Sequence, residues 1–229
     1  MDYHKEYAKL NPTYHEEDAP RKIQDVINSY SGHPKSILDL GCGSGQLSEL
    51  IYNSYNPSKY TAIDISQTAI DIAKDNGSKK INWIVGDVFD FKIKEKYDLV
   101  YIGDLVEHVD SDINFLNKVK VYGKNILIRI PLERVAINDI LRILKITDEY
   151  KRFEHQFGHV HHYSVYDFEK LLKRCNLKVV NRTINPLSKR SKKYMELIRQ
   201  ISLIFWKISP SRVANLFGGF AMYLVENEN

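Results

Sequence analysis

The sequence predicts an α/β fold built on a doubly wound, mostly parallel sheet. Short apolar runs alternate with helical patterns five times between residues 36 and 130, the alternation that yields parallel strands joined by helical crossovers. The first run, Ile37-Leu38-Asp39-Leu40, stops at a turn with glycines at 41, 43 and 45, and a helical pattern starts at Gln46. Acids mark the ends of the next two strands, Asp64 at the end of the second and Asp87 after the third. The carboxyl edge of an open α/β sheet is where ligands bind.

Composition sets the bounds. The 229 residues are 43% hydrophobic and 27% charged, which suits one globular domain with its own core. The net charge of +4 is too mild to indicate nucleic acid by itself. Its distribution says more: between residues 185 and 220 there are seven basic residues against Glu196 alone, a patch able to hold phosphate, an anionic membrane surface or nucleic acid. The two cysteines, Cys42 and Cys175, suggest neither a disulfide framework nor a zinc site and fit a reducing cytoplasm. The start is polar and acidic, without the pattern of a signal peptide. No apolar run reaches the about 18 residues that a membrane span needs.

In chain order, residues 1–35 precede the first strand as an N-terminal lid or helix, with helix expected over 21–30. Residues 36–229 form the main domain. Strand 37–40 leads through the glycine turn to helix 46–55, which Asn56-Pro57-Ser58 ends. Strand 60–65 carries Asp64, and helix 67–75 stops at Asn76-Gly77. Strand 81–85 is followed by Gly86-Asp87-Val88, and strand 97–102 by Gly103-Asp104-Leu105-Val106-Glu107-His108-Val109. If that last stretch is helical, Asp104 and His108 share a face. Helix 111–121 and strand 125–130 complete the regular alternation.

Two insertions interrupt the pattern, at about 132–163 and 185–219. The first opens with a helix-like stretch, 135–146, and continues as a loop carrying His155, His159, His161 and His162. H-x-x-x-H on a helix can chelate zinc, but Gly158 interrupts the helix and no Cys or spaced acid completes a ligand set, so no metal is expected. Helix 165–175 presents Phe168, Leu171 and Leu172, and strand 177–184 follows. In the second insertion Leu197, Ile198, Ile201, Ile204 and Phe205 line one face of a helix. That face is expected to pack on the domain, with a twin subunit or peripheral membrane contact through 189–208 as alternatives.

The glycine turn narrows the ligand. A dinucleotide fingerprint would place its third glycine at 46, which is Gln, and a phosphate-cradling P-loop would end in Gly-Lys-Ser/Thr. The stretch from Ile37 to Gly45 instead resembles motif I of the class I S-adenosylmethionine-dependent methyltransferases, a hydrophobic strand followed by D-x-G-x-G-x-G. The resemblance covers about 37–226. It implies a Rossmann-like, seven-stranded sheet with the last strand, 221–226, antiparallel and with insertions over the carboxyl edge. It also implies S-adenosylmethionine as cofactor. The donor would lie against Asp39, Gly41, Cys42, Gly43 and Gly45, with Asp64 and Ile65 at the ribose, Asp87 and Val88 at the adenine, and Asp104 in the same pocket. An acid 23 residues beyond Gly41 can accept from both ribose hydroxyls, as in dinucleotide folds.

For the acceptor, residues 103–109 resemble motif IV of the small-molecule branch, similar to the ubiquinone and sugar O-methyltransferases and the phosphoethanolamine N-methyltransferases. His108 would be the base, since imidazole accepts protons near neutral pH. In the phosphoethanolamine type a tyrosine from the N-terminal segment works with such a histidine, and Tyr7 or Tyr14 would be its counterpart. Residues 158–164 resemble a G-H-x-H-x-[YF]-[ST] segment of small-molecule methyltransferases, which puts His159, His162 and Tyr163 on the acceptor with Arg129 as an anion ligand. The expected activity is methyl transfer to an N or O nucleophile of a polar or anionic metabolite, a phosphorylated amine or a sugar. Alternatives are a quinone, lipid-like or surface-glycan hydroxyl, tRNA, or a non-catalytic donor-binding module. Nucleic-acid amine methylation would call for N/D-P-P-Y/F/W after the fourth strand, where this chain has Gly103-Asp104-Leu105-Val106.

Overall fold

The computed structural model describes residues 14–187 and 193–228, with the side chains of 14–18, 193–195 and 198 outside that description. Helix α1 (Tyr14–Ser29) leads into β1 (Ser36–Leu40), α2 (Gln46–Tyr55), β2 (Lys59–Asp64), α3 (Gln67–Asn76) and β3 (Ile81–Val85). Then come β4 (Tyr97–Gly103), a 3₁₀ turn (Val106–His108), α4 (Asp112–Val119) and β5 (Gly123–Leu132). Helices α5 (Ala136–Ile143), α6 (Glu149–Phe157) and α7 (Val165–Arg174) precede β6 (Leu177–Asn185), and α8 (Lys193–Trp206) and α9 (Pro210–Phe217) precede β7 (Gly219–Asn227).

The seven strands form one sheet in the order β3-β2-β1-β4-β5-β7-β6. The first five are mutually parallel, while β7 runs antiparallel to both β5 and β6. The class expected from the sequence is therefore the one observed. Alternation along the strands explains the layers: Leu38 and Leu40 of β1 join Val100 and Ile102 of β4 in one buried cluster, while Ile37 joins Leu99 and Tyr101 in the other. A strand buried on both faces reads as a nearly continuous apolar run, which is why β1 and β4 were easy to recognise.

Four features depart from expectation. Helix α1 starts seven residues before its expected start and contains Pro20. It packs on the second cluster through the fully buried Val26, and its end is tied to β6 by Ser29, whose Oγ bonds Thr183 at 3.2 Å and whose carbonyl accepts from Asn181. The expected loop over 149–157 is the helix α6. Asp148 caps it by accepting from Lys151 N, and Gly158 ends it in the left-handed conformation at φ 73°.

Residues 104–108 are not one helical turn. Asp104 has φ 53° and only Val106–His108 form a 3₁₀ turn, so Asp104 and His108 do not share a helix face. Finally, described residues on the apolar face of α8 are left exposed: Leu197 61%, Ile204 70% and Phe205 49%. Among the described residues no helix is long and apolar enough to cross a membrane.

Candidate active site

The donor side is built at the carboxyl ends of β1, β2 and β3. Gly41, Gly43 and Gly45 all have positive φ, at 76°, 55° and 86°. One of them is also sterically crowded: a Cβ on Gly45 would lie 2.7 Å from the Trp83 ring, whereas one on Gly41 would meet only the end of the Leu105 side chain, at 3.0 Å. Gly43 differs, because among the described residues a Cβ there would meet nothing within 4 Å. Bare backbone at 43 thus faces no other described residue, as a ligand cradle requires.

Asp64 organises this turn. Its Oδ2 accepts from Gly43 N and its Oδ1 from Ser66 N, each at 2.8 Å. Each carboxylate oxygen has a second lone pair for a further donor. Ile65 follows with half its surface exposed, an apolar platform beside the acid. Asp87 accepts from Phe89 N at 2.8 Å, and the Val88 carbonyl accepts from Tyr122 at 2.9 Å, which fixes the third strand end. Cys42 sits in the turn with its thiol toward Gly43 O at 3.7 Å.

Asp39 has a different setting. Its carboxylate is buried and accepts from Ser48 at 2.6 Å and Tyr60 at 3.0 Å. Burial pushes its pKa up to about 6 despite those two donors. It braces β1 against α2 beneath the turn.

Past β4, Asp104 pairs with the Arg129 guanidinium and with Lys22 Nζ of α1, the latter at 2.9 Å. Both cations hold its carboxyl below the usual range against the cost of burial. Arg129 is fully buried and also lies over the Phe220 ring, 4.1 Å from its centroid. The anion-binding role expected for Arg129 therefore meets an internal carboxylate in place of an acceptor.

His108 lies in the 3₁₀ turn with Nδ1 3.3 Å from Gly158 O. A carbonyl can only accept, so that contact puts the proton on Nδ1 and leaves the lone pair on Nε2. The histidine segment is clamped over this turn, since Val160 N and His161 N both donate to Glu107 O. As a result the His159 ring stands edge-on to His108, centroids 4.8 Å apart. His159 and His162 each approach Glu133 through Nδ1, at 2.9 and 2.8 Å. Their hydrogen bonds hold the Glu133 carboxyl down against burial.

Tyr163, expected on the acceptor, is buried and donates to Asp112 at 3.0 Å. It is part of the wall. His155 is exposed and outside the cluster. Tyr7 lies outside the described residues, as does the Tyr14 side chain.

Sequence reasoning missed three charged residues here. Glu133 ends β5 just as Asp64 and Asp87 end theirs, and the same rule would have found it. Glu107, fully buried with neither carboxylate oxygen hydrogen-bonded among the described residues, was passed over as the neighbour of His108. Lys22 carried no local signal.

A glycine turn with bare backbone at 43, acids at three successive strand ends and a sheet closed by antiparallel β7 define the class I methyltransferase fold. Residues 37–121 match the family described as methyltransferase domain. Malonyl-[acyl-carrier protein] O-methyltransferase of Anoxybacillus flavithermus is 37% identical over 68 residues, 29% of this chain and 26% of that protein. The mitochondrial ubiquinone biosynthesis O-methyltransferase of Schizosaccharomyces pombe is 34% identical over 130 residues, 52% of this chain and 44% of its own length. The chain thus aligns with less than half the length of either relative. Among solved structures, the plantazolicin methyltransferase BpumL in complex with a triazolic desmethylPZN analog and SAH superposes with TM-score 0.60. It is 23% identical, with 96% of this chain and 90% of that one covered, and shows the shared fold. Residues 37–121 are thus similar to a methyltransferase domain, and the chain shares the fold of a solved methyltransferase.

Proposed function

We propose that this chain transfers the methyl group of S-adenosylmethionine to an oxygen of a small acceptor that carries an apolar portion, a quinone-like or lipid-like hydroxyl or carboxyl. The donor would lie on the glycine turn, its ribose hydroxyls donating to Asp64 and its adenine between Ile65 and Val88 with the amino group on Asp87. A sulfonium methyl is already electrophilic, so the protein has to align the nucleophile, take its proton and exclude water. His108 Nε2 would take that proton, and the clamp over 158–163 fixes the ring. Helix α1, tied down through Lys22, would be the lid over the donor within the N-terminal segment 1–35.

The observation that carries the acceptor class is the apolar surface beside the histidines. Helix α5 begins three residues after Glu133, and Ile140, Ile143, Leu144 and Ile146 are all more than half exposed. Helix α9 packs against both α5 and α8, and α8 adds Leu197 and Ile204, with Ile208 just past its end. That surface suits an apolar acceptor or the lipid surface that delivers it. O-methylation is favoured over N-methylation by the two named relatives, both O-methyltransferases, and the burial of Arg129 removes the anion ligand that favoured phosphorylated amines.

Two measurements test the proposal. Calorimetry should show binding of S-adenosylmethionine or its demethylated product at micromolar concentration; no affinity below about millimolar would refute the enzyme reading, since that corresponds to only about 4 kcal/mol. A turnover screen should then find quinols or acyl carboxylates methylated in preference to phosphoethanolamine and sugars.

A further inference from the structure

The geometry points to a divalent transition-metal site formed by Glu133, His159 and His162. The three ligating atoms lie within 4.8 Å of one another, and both imidazole Nδ1 atoms already stand 2.8–2.9 Å from the carboxylate. Metal–ligand bonds of about 2.0–2.1 Å in a tetrahedral site separate neighbouring ligand atoms by about 3.3 Å. A few tenths of an ångström of movement would therefore convert the two hydrogen bonds into two edges of a coordination polyhedron. On binding, each Nδ1 would release its proton to solvent, as ligation by neutral imidazole requires.

The elements hold these residues rigidly. Glu133 directly follows β5, and its backbone N donates to Tyr163 O. His159 is buried behind the Gly158 cap, and the His162 ring rests against Tyr150 of α6, centroids 4.9 Å apart.

A second observation points the same way. Glu107, fully buried and with neither carboxylate oxygen hydrogen-bonded among the described residues, groups with His108 and the shared His159 within the same 4.8 Å limit. Glu107, buried, and Glu133, half-buried, thus both lie beside His159. Two imidazoles and one carboxylate select zinc or another late first-row ion over magnesium or calcium, which prefer all-oxygen shells. Three protein ligands leave a fourth position open.

If the proposed O-methylation is right, that position would take the acceptor oxygen. The cation would lower its pKa, its proton would pass to His108 Nε2, and the oxygen would then displace the methyl from the sulfonium, releasing the thioether. This last step rests on the function proposed above, whereas the metal site does not.

The test uses zinc and cobalt ions alone, on chelator-stripped protein. Equilibrium dialysis should give one zinc per chain, and cobalt(II) should develop the visible absorption of a low-coordinate nitrogen–oxygen site. Glu133→Gln and His162→Ala should each weaken zinc binding at least 10-fold, while His155→Ala leaves it unchanged. Zinc should raise the melting temperature of the unmodified protein and not of the two variants, and their circular dichroism shows whether they are folded. Absence of stoichiometric zinc binding by the intact protein overturns the proposal. So does retained affinity in both variants, or loss caused by His108→Ala with Glu133→Gln unaffected. Donor affinity, measured separately, distinguishes failure of this site from failure of the methyltransferase reading.

Discussion

Lys22 Nζ lies 2.9 Å from Asp104 Oδ2, joining the N-terminal helix to the residue that follows the fourth strand. Lys22 is almost entirely buried, and Asp104 is shared with the buried Arg129. Asp104 holds a left-handed backbone, which costs a non-glycine residue about 1–2 kcal/mol and which this double pairing over-determines. If α1 covers the donor as proposed, this ion pair would couple it to the turn that carries His108.

Lys22→Met should therefore loosen α1 more than the sheet. Breaking a buried pair costs about 3–5 kcal/mol when the partner is stranded, and Arg129 remains, so about 1–3 kcal/mol is expected. Limited proteolysis should cut near residue 30 sooner in the variant, with weaker donor binding. An unchanged cleavage pattern would separate the helix from the site. Acid should mimic the substitution: the Asp104 pKa is depressed in the fold, so its stabilisation is complete above the unfolded carboxyl range and is lost as pH falls below it.

Asp39 has the opposite sign. Its folded pKa is raised to about 6 from 3.8, so between those values the folded state binds the extra proton. This group's contribution thus falls as pH rises from about 4 to 6, and the full penalty applies above about 6. Asp39→Asn should flatten that part of a stability–pH curve measured by urea unfolding. Ser48→Ala should instead destabilise the protein by about 1–3 kcal/mol at neutral pH, because it takes a donor from a buried carboxylate.

Asp64 does two jobs, holding Gly43 N and Ser66 N and, as proposed, the ribose. Asp64→Asn keeps one acceptor oxygen and should weaken donor binding about 10-fold. Asp64→Ala removes both and should cost about 1–3 kcal/mol more. Titration calorimetry with the demethylated donor checks the order; equal affinities in all three proteins would remove the acid from the ribose.

His108→Ala should lower turnover about 10²-fold or more if the imidazole is the base, with donor affinity kept. The acid limb of the kcat–pH profile should vanish with it. Near-normal turnover would make His108 a bracket for Gly158 and nothing more.

The donor half of the site was legible because its determinants are local. Glycines at 41, 43 and 45 and acids at strand ends are consequences of backbone geometry within a few residues of each other. The acceptor half depends on contacts between distant segments. Gly158 O reaches His108 across 50 residues, Tyr163 reaches Asp112 across 51 and Asp104 meets Lys22 from another helix, and no periodicity carries such pairings. Arg129 was placed on the acceptor by residue type and Tyr163 by the resemblance of 158–164; both side chains are buried. The face of α8 misled for a related reason, since an apolar stripe predicts that something covers it and says nothing of what does.

Gly43 and Gly45 give the sharpest contrast, since both have positive φ but face different surroundings. Alanine at 45 would press within 2.7 Å of the Trp83 ring, and overpacking of that kind costs about 1–3 kcal/mol in addition to backbone strain of about 1–2 kcal/mol. Alanine at 43 meets no other described residue and pays the strain alone. Gly45→Ala should therefore lower the melting temperature markedly, whereas Gly43→Ala should lower it little yet reduce donor affinity at least 10-fold by placing a methyl where the ligand lies. Melting curves with and without donor decide it. If Gly43→Ala binds the donor as tightly as the unmodified protein, the bare backbone at 43 is not the donor's place.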